Sequence, residues 1–311
     1  MIFISIPVAD HHFLSCTHRL FSSGNLNHQT TIMKASHPIR KVICPTDLSP
    51  VAQNATRYAA QLCQVIGAEL ELVYTHPVWS NLLLLTAETE KLTVADDLET
   101  IRHELNLLCT QILNQYNVQC SPDVEYSAMT ISDALQKKCA PGTMIIAGTN
   151  GADKFTQRIF GSVTFRLTRA LKVPVLIIPE GSEYSPIKEL VYAWDYHPED
   201  SCLLDLQFFA EELGCKITFL HLSAHETEIS KDVFRAVAAG AKEKLNSRLN
   251  VEFSRLYTSQ MRRALDDYLN ERTGSILTLS YRSGKLLRRF FRREDSARTL
   301  FRHPILVLHS I

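Results

Sequence analysis

The chain has 311 residues, 45% of them hydrophobic and 21% charged, with 33 basic and 33 acidic side chains. That composition suits a folded globular chain long enough for two domains, and zero formal net charge gives no general pull toward nucleic acid. No apolar stretch approaches the ~20 residues of a membrane-crossing helix, and the eight cysteines show neither CxxC nor zinc spacing, which points to a reduced, cytoplasmic setting.

Residues 1–37 are rich in His, Ser, Asn and Thr without a sustained period, and are expected to form a disordered extension. Met1 to Val8 is apolar but lacks a basic start and soon meets Asp10-His11-His12, so it does not read as a signal peptide; Met33 offers a second start. From residue 38 the pattern becomes regular. Lys41 to Cys44 reads as a strand ending at Pro45-Thr46-Asp47. Ser49 suits an N-cap, Pro50 the first helical position, and Gly67 the end of a helix through Ile66. Ala68 to Tyr74 alternates as a strand, and the spacing of Leu98, Ile101, Leu105, Leu108 and Ile112 predicts a helix of about 25 residues ending near Tyr116. Val118 to Tyr126 is a third strand and Ile131 to Cys139 a third helix.

Met144 to Ala147 is a short buried strand, followed by Gly148, Gly151 and Gly161-Ser162, a helix from Thr164 to Lys172, and a last strand from Val175 to Ile178. Glycines between a strand end and a helix start let backbone N–H groups approach a phosphate. Taken alone, the spacing fits a set of turns equally well. Five strands alternating with four helices predict a parallel sheet with helices on both faces, an α/β domain over residues 38–180.

After a short linker, 181–187, the layout returns about 130 to 148 residues later. Lys188 to Asp195 repeats the first strand and its terminal acid. Glu199 to Leu213 with Gly214 repeats the first helix, Lys216 to Leu222 the second strand, Ile276 to Leu279 the fourth strand, and Pro304 to Leu308 the last. A helix from about Glu228 to Leu249, a strand from Val251 to Tyr257 and a helix from Gln260 to Glu271 lie between them. Residues 188–311 are therefore expected to be a second domain of the same fold.

Gly148-x2-Gly151-x9-Gly161-Ser162, with Pro45-Thr46-Asp47-Leu48-Ser49 and the closing VLIIP strand, resembles the universal stress protein family, and the repeat makes the chain resemble a tandem member. The resemblance implies two five-stranded parallel α/β domains of Rossmann-like, adenine-nucleotide-binding type. It implies ATP, with or without magnesium, at the carboxyl ends of the first repeat's strands. Pro45, Thr46 and Asp47 would face the adenine or ribose, and Val73 would line the base pocket. Gly148, Gly151 and Gly161 would open the backbone to ribose and phosphates, and Ser162 and Val163 would hold phosphate oxygens at a helix N-terminus. The family implies signalling rather than metabolism, an unidentified protein partner, and an intramolecular pseudo-dimer in which Val175–Ile178 meets Ile305–Leu308, with a homodimer as a further option.

The second repeat departs from the motif: Ser280 and Ser283 stand where the first two glycines would be, Gly284 is displaced, and Phe291 or Arg292 replaces the third. It is expected to be degenerate, with Asp195 as its remaining strand-end acid. Other readings stay open. Asp47 could be a turn-forming acid, and the chain could be a slow ATPase, an adenylyl-transfer enzyme or a nucleotide-free interaction module, although a Walker lysine loop and GxGxxG are both absent. His76 and His221 read as turn or core histidines. The basic run 282–293 reads as a solvated loop or as a contact surface for an anionic partner.

Overall fold

The computed structural model describes residues 3–5, 38–77, 87–127, 130–149, 162–194, 202–223, 230–281 and 302–309. The first repeat runs β2 (Lys41–Pro45), α1 (Pro50–Ile66), β3 (Glu69–Pro77), α2 (Ala87–Tyr116), β4 (Cys120–Ser127), α3 (Ile131–Lys138), β5 (Thr143–Thr149), α4 (Ser162–Ala170) and β6 (Val175–Pro179), after a short β1 (Phe3–Ser5). The second runs β7 (Glu189–Trp194), α5 (Leu203–Leu213), β8 (Lys216–Ser223), α6 (Lys231–Lys244), β9 (Val251–Tyr257), α7 (Met261–Asn270), β10 (Ser275–Ser280) and β11 (Ile305–Leu308).

The local causes are those visible in the sequence. Ser49 caps α1 by accepting the Ala52 N–H at 3.3 Å, with Pro50 at the first helical position. Gly67 ends α1 at φ +67, a conformation that costs glycine little. Thr130 and Asp133 form a reciprocal capping box on α3. One helix is shorter than its apolar spacing suggested. The span expected from Glu228 to Leu249 is helical over Lys231–Lys244, capped by the Ser230 hydroxyl on the Val233 N–H at 3.2 Å. It ends where Gln207 and Glu211 of α5 accept the Asn246 backbone and side-chain N–H groups at 2.9 and 2.8 Å, and Asn246 in turn accepts the Arg248 N–H. Those side-chain hydrogen bonds of Asn246 outweigh about one and a half more turns of helix.

All strands within each repeat are parallel, in the order β4-β3-β2-β5-β6 and β9-β8-β7-β10-β11. The halves join edge to edge. β6 and β11 pair antiparallel, with Ile177 opposite Ile305, Leu176 opposite Leu306 and Val175 opposite Val307, giving one sheet of eleven strands. The expected meeting of Val175–Ile178 with Ile305–Leu308 is this pairing. Phe3–Ser5, inside the segment expected to lie disordered, pairs antiparallel with Ser254–Leu256. The linker docks on α1: Asn54 Nδ2 donates to the Ser182 carbonyl at 3.0 Å, and Tyr184 meets Tyr58 edge-on with centroids 5.1 Å apart.

Strand side chains divide with a period of two between two cores. Val42 and Cys44 face one layer with Ala55 and Leu62 of α1, Leu105 of α2 and Phe209 of α5, while Ile43 faces the other with Leu135 of α3, Leu167 of α4 and Leu265 of α7. Toward the amino ends of the strands the two repeats place partly buried ion pairs of opposite polarity. Lys41 and Lys138 flank Glu71 at 2.8 and 3.4 Å, whereas Lys216 lies 3.3 Å from Glu189, which also accepts from Thr218 and Ser275 at 2.6 and 2.7 Å. Burial acts to raise the Glu189 carboxyl, but those hydroxyls and the Lys216 ammonium outweigh it and hold it below the ordinary value. Among the described residues no helix is long and apolar enough to cross a membrane.

Candidate functional site

In each repeat the chain leaves the middle of the sheet in two directions, from β2 toward β3 and from β5 toward β6. The carboxyl ends of β2 and β5 therefore border a topological switch point, where open α/β sheets offer a crevice. On the β2 side stand Pro45, Thr46 and Asp47. The Thr46 N–H donates to the Val73 carbonyl at 2.9 Å, and the Thr46 hydroxyl accepts the Leu48 N–H at 3.0 Å. Asp47 is exposed, and its Oδ1 accepts the Ser49 N–H at 3.0 Å, closing a turn in which Leu48 takes φ +62. Asp47 thus performs the turn-forming role directly at the entry to α1 and presents the rest of its carboxylate to solvent. Val73 is fully buried in the core beneath the rim, so its side chain packs against α3 and α4 rather than facing open space.

On the β5 side, Gly148 and Thr149 end the strand, and the chain returns at α4. The buried Thr164 hydroxyl donates to the Gly148 carbonyl at 3.3 Å, which fastens the first turn of α4 to the carboxyl end of β5. Ser162 and Val163 are the first two residues of that helix, so their backbone N–H groups lack intrahelical acceptors. A helix N-terminus at a switch point is a favourable place for an anion. Gly151 and Gly161 lie outside the described residues.

Gly148 has a structural duty that its motif does not reveal. A Cβ there would lie 2.8 Å from the Val51 carbonyl oxygen, 3.1 Å from Val51 Cγ1 and 3.3 Å from Ala55 Cβ. The bare backbone at this position makes room for α1. The second repeat solves the same crossing differently. Ser280 of β10 stands where Gly148 stands in β5, and the Cys202 thiol, beside the start of α5, donates to its hydroxyl at 3.2 Å. Asp195, Ser283, Gly284, Phe291, Arg292 and the basic run 282–293 lie outside the described residues.

Sequence reading missed the acidic residues that act on the end of β3. Tyr74, near the end of β3, has its phenol raised, first by burial and then by the charges of Asp47, Asp97 and Glu104. Asp97 and Glu104 stand seven residues apart on one face of α2, a spacing that could have signalled a shared stripe. The equivalent rim of the second repeat is basic and aromatic. Trp194, His221 and Arg255 occupy one cross-strand row, and the buried Arg255 guanidinium lies 5.2 Å from the Phe234 centroid and 5.0 Å from that of Tyr257. His221 is a core histidine: its Nδ1 lies 3.1 Å from the Trp194 carbonyl oxygen. Burial pushes it down to about 4, opposed by that hydrogen bond and assisted by Arg255. Among the described residues no group of three His, Cys, Asp or Glu could hold a metal ion.

Residues 38–179 match the model of the Universal stress protein family. That match covers the first repeat and the crevice described above. A curated relative, universal stress protein Slr1230 of Synechocystis sp. (strain ATCC 27184 / PCC 6803 / Kazusa), is 26% identical over 191 residues, which span 55% of this chain and 65% of the relative. Among solved structures, a universal stress protein from Archaeoglobus fulgidus DSM 4304 aligns with 88% of this chain and 100% of its own at a TM-score of 0.63 and 15% identity, a likeness of fold. A universal stress protein solved in complex with cAMP overlaps 46% of this chain and 98% of its own at 16% identity and a TM-score of 0.32, too distant to carry its ligand across.

Proposed function

We infer that the chain is a cytoplasmic tandem universal stress protein that binds ATP in its first repeat and works as a signalling protein rather than a metabolic enzyme. The observation that carries this reading is the Thr164–Gly148 clasp, which sets the α4 N-terminus against the switch point between β2 and β5. In this reading the Ser162 and Val163 N–H groups hold phosphate oxygens, and Gly151 and Gly161 keep the loop between β5 and α4 free of side chains. Pro45, Thr46 and Asp47 form the opposite rim for base and ribose, and Val73 supports that rim through the carbonyl that Thr46 uses.

Asp47, Asp97 and Glu104 make that rim acidic, so a bare triphosphate would meet repulsion there. The nucleotide therefore arrives with magnesium as countercharge. Binding orders the loop before α4 and alters a surface read by a protein partner. The second repeat, with Ser280 at the first glycine position and Arg255 buried at its rim, serves as the companion half of a pseudo-dimer and takes no ATP.

Isothermal titration of the full chain with magnesium-ATP tests the reading directly. Micromolar to millimolar binding by the wild-type chain, lost in Gly151→Asp, supports it. Equal binding by both, or none by either, overturns it. A chain that shows no thermal shift at millimolar ATP is instead a nucleotide-free interaction module.

A further inference from the structure

Two cysteines of the first repeat face each other across the α2–β4 packing. Cys109 lies two turns before the end of α2, and Cys120 is the first residue of β4. A helix rises ~1.5 Å per residue, so Cys109 stands about 10 Å back from Tyr116; a strand at ~3.3 Å per residue recovers that distance between Asn117 and Cys120. Asn117, at φ +55, makes the reversal. The result is a thiol–thiol contact: Cys120 Sγ donates to Cys109 Sγ at 2.9 Å.

Other thiols of this layer are differently placed. Cys44 is fully buried with its Sγ 3.6 Å from the Thr56 hydroxyl, and Cys63 is buried with its Sγ 4.0 Å from the Glu69 carbonyl oxygen. Burial pushes both up to about 12. Cys109 goes the other way, lowered because the Cys120 hydrogen bond outweighs its burial, while Cys120 is raised by that same bond and by burial. Access is from the outer side. β4 is the edge strand of this half of the sheet; Cys109 is itself buried, Cys120 is half-buried, and its neighbours Gln119 and Ser121 are exposed, so peroxide reaches the pair past Cys120.

We propose that Cys109 and Cys120 are a peroxide-oxidisable dithiol that closes to an intramolecular disulfide joining α2 to β4. The Cys109 thiolate attacks one oxygen of hydrogen peroxide, the O–O bond breaks, and the departing hydroxide takes a proton to leave as water, giving a sulfenic acid at Cys109. The Cys120 sulfur, losing its proton, then attacks the Cys109 sulfur and expels hydroxide, which takes that proton to leave as a second water. Two thiols are oxidised by two electrons and one peroxide is reduced by two. A dithiol reductant reverses the bond by exchange.

Trypsin makes the test clean, because no Lys or Arg lies between His103 and Lys137 and the peptide 103–137 holds these two cysteines and no others. The full chain is reduced, desalted, exposed to hydrogen peroxide, denatured, alkylated and digested. The expected result is a 103–137 peptide that is two hydrogens lighter and unalkylated, while the peptides carrying Cys44 and Cys63 remain alkylated; dithiothreitol before alkylation restores two alkyl groups. In Cys120→Ser the oxidation stops at Cys109 sulfenic acid, which dimedone captures, and in Cys109→Ser the Cys120 thiol survives the same dose. A 103–137 peptide that stays doubly alkylated while the Cys139 peptide is oxidised overturns the proposal. So does loss of these thiols into cross-chain disulfides seen as dimers on a non-reducing gel.

Discussion

The Thr164 hydroxyl and the Gly148 carbonyl oxygen stand 3.3 Å apart, and through that contact the first turn of α4 is held at the carboxyl end of β5. Thr164→Val keeps the shape and removes the donor. It should cost about 1 kcal/mol of stability, the usual net worth of a buried hydrogen bond, and loosen the α4 N-terminus. Urea denaturation reads the first effect and ATP titration the second; Thr164→Ser should restore both.

Gly148 should tolerate no side chain. Its Cβ would enter the space of the Val51 carbonyl at 2.8 Å, which is backbone at the start of α1 and cannot rotate away. Gly148→Ala is expected to cost ~1–3 kcal/mol, as overpacking of a close crossing does. The pseudo-equivalent Ser280→Ala, which removes the acceptor of the Cys202 thiol, should cost about 1 kcal/mol. Equal losses in the two variants would refute the view that Gly148 is needed by α1.

Magnesium should govern nucleotide affinity. With Asp47, Asp97 and Glu104 gathered near Tyr74, chelation of the metal should weaken ATP binding by about tenfold or more, or roughly 1.4 kcal/mol. The double variant Asp97→Asn/Glu104→Gln removes two exposed charges that touch neither core, and should shrink that metal dependence without unfolding the chain. Titrations with and without a chelator measure both.

Acid should destabilise the second repeat well before carboxylates titrate in full. His221 is held neutral, its value down from 6.5 to about 4. The unfolded chain therefore binds a proton below pH 6.5 that the folded chain refuses until about pH 4, and stability falls as pH drops through that window. The loss from His221 is on the order of 3 kcal/mol. Burial pushes His309, stacked 4.9 Å from Tyr281, down to about 4 as well, and it adds loss of the same sign. Denaturation midpoints from pH 7 to 4 should fall less steeply in His221→Gln than in the wild-type chain.

Much of the fold was legible in local chemistry. The Ser49 cap, the stop at Gly67, the helical stripe through Leu105 and Ile112, and the apolar run of Val175 to Ile178 each place an element by forces that act within a few residues. The pairing of the last strands was expected from the family resemblance and not from local chemistry; in the structure two short, wholly apolar edge strands cover each other. Where a long-range side chain intervened, local spacing misled, as when Gln207 and Glu211 claimed Asn246 and ended α6 early.

The candidate site divides in the same way. The sequence alone placed Asp47 after one strand, Gly148 after another and Ser162 at a helix start, because a strand end, a glycine and a helix cap announce themselves along the chain. Only the tertiary structure decided what those residues face. Gly148 turned out to make room for Val51 and Ala55, Val73 to sit inside the core, and Asp97 and Glu104 to act with Asp47 on the Tyr74 phenol. The physical reason is that backbone conformation is set by neighbours in sequence, whereas crowding, burial and charge are set by neighbours in space, brought here from as far as 97 residues away.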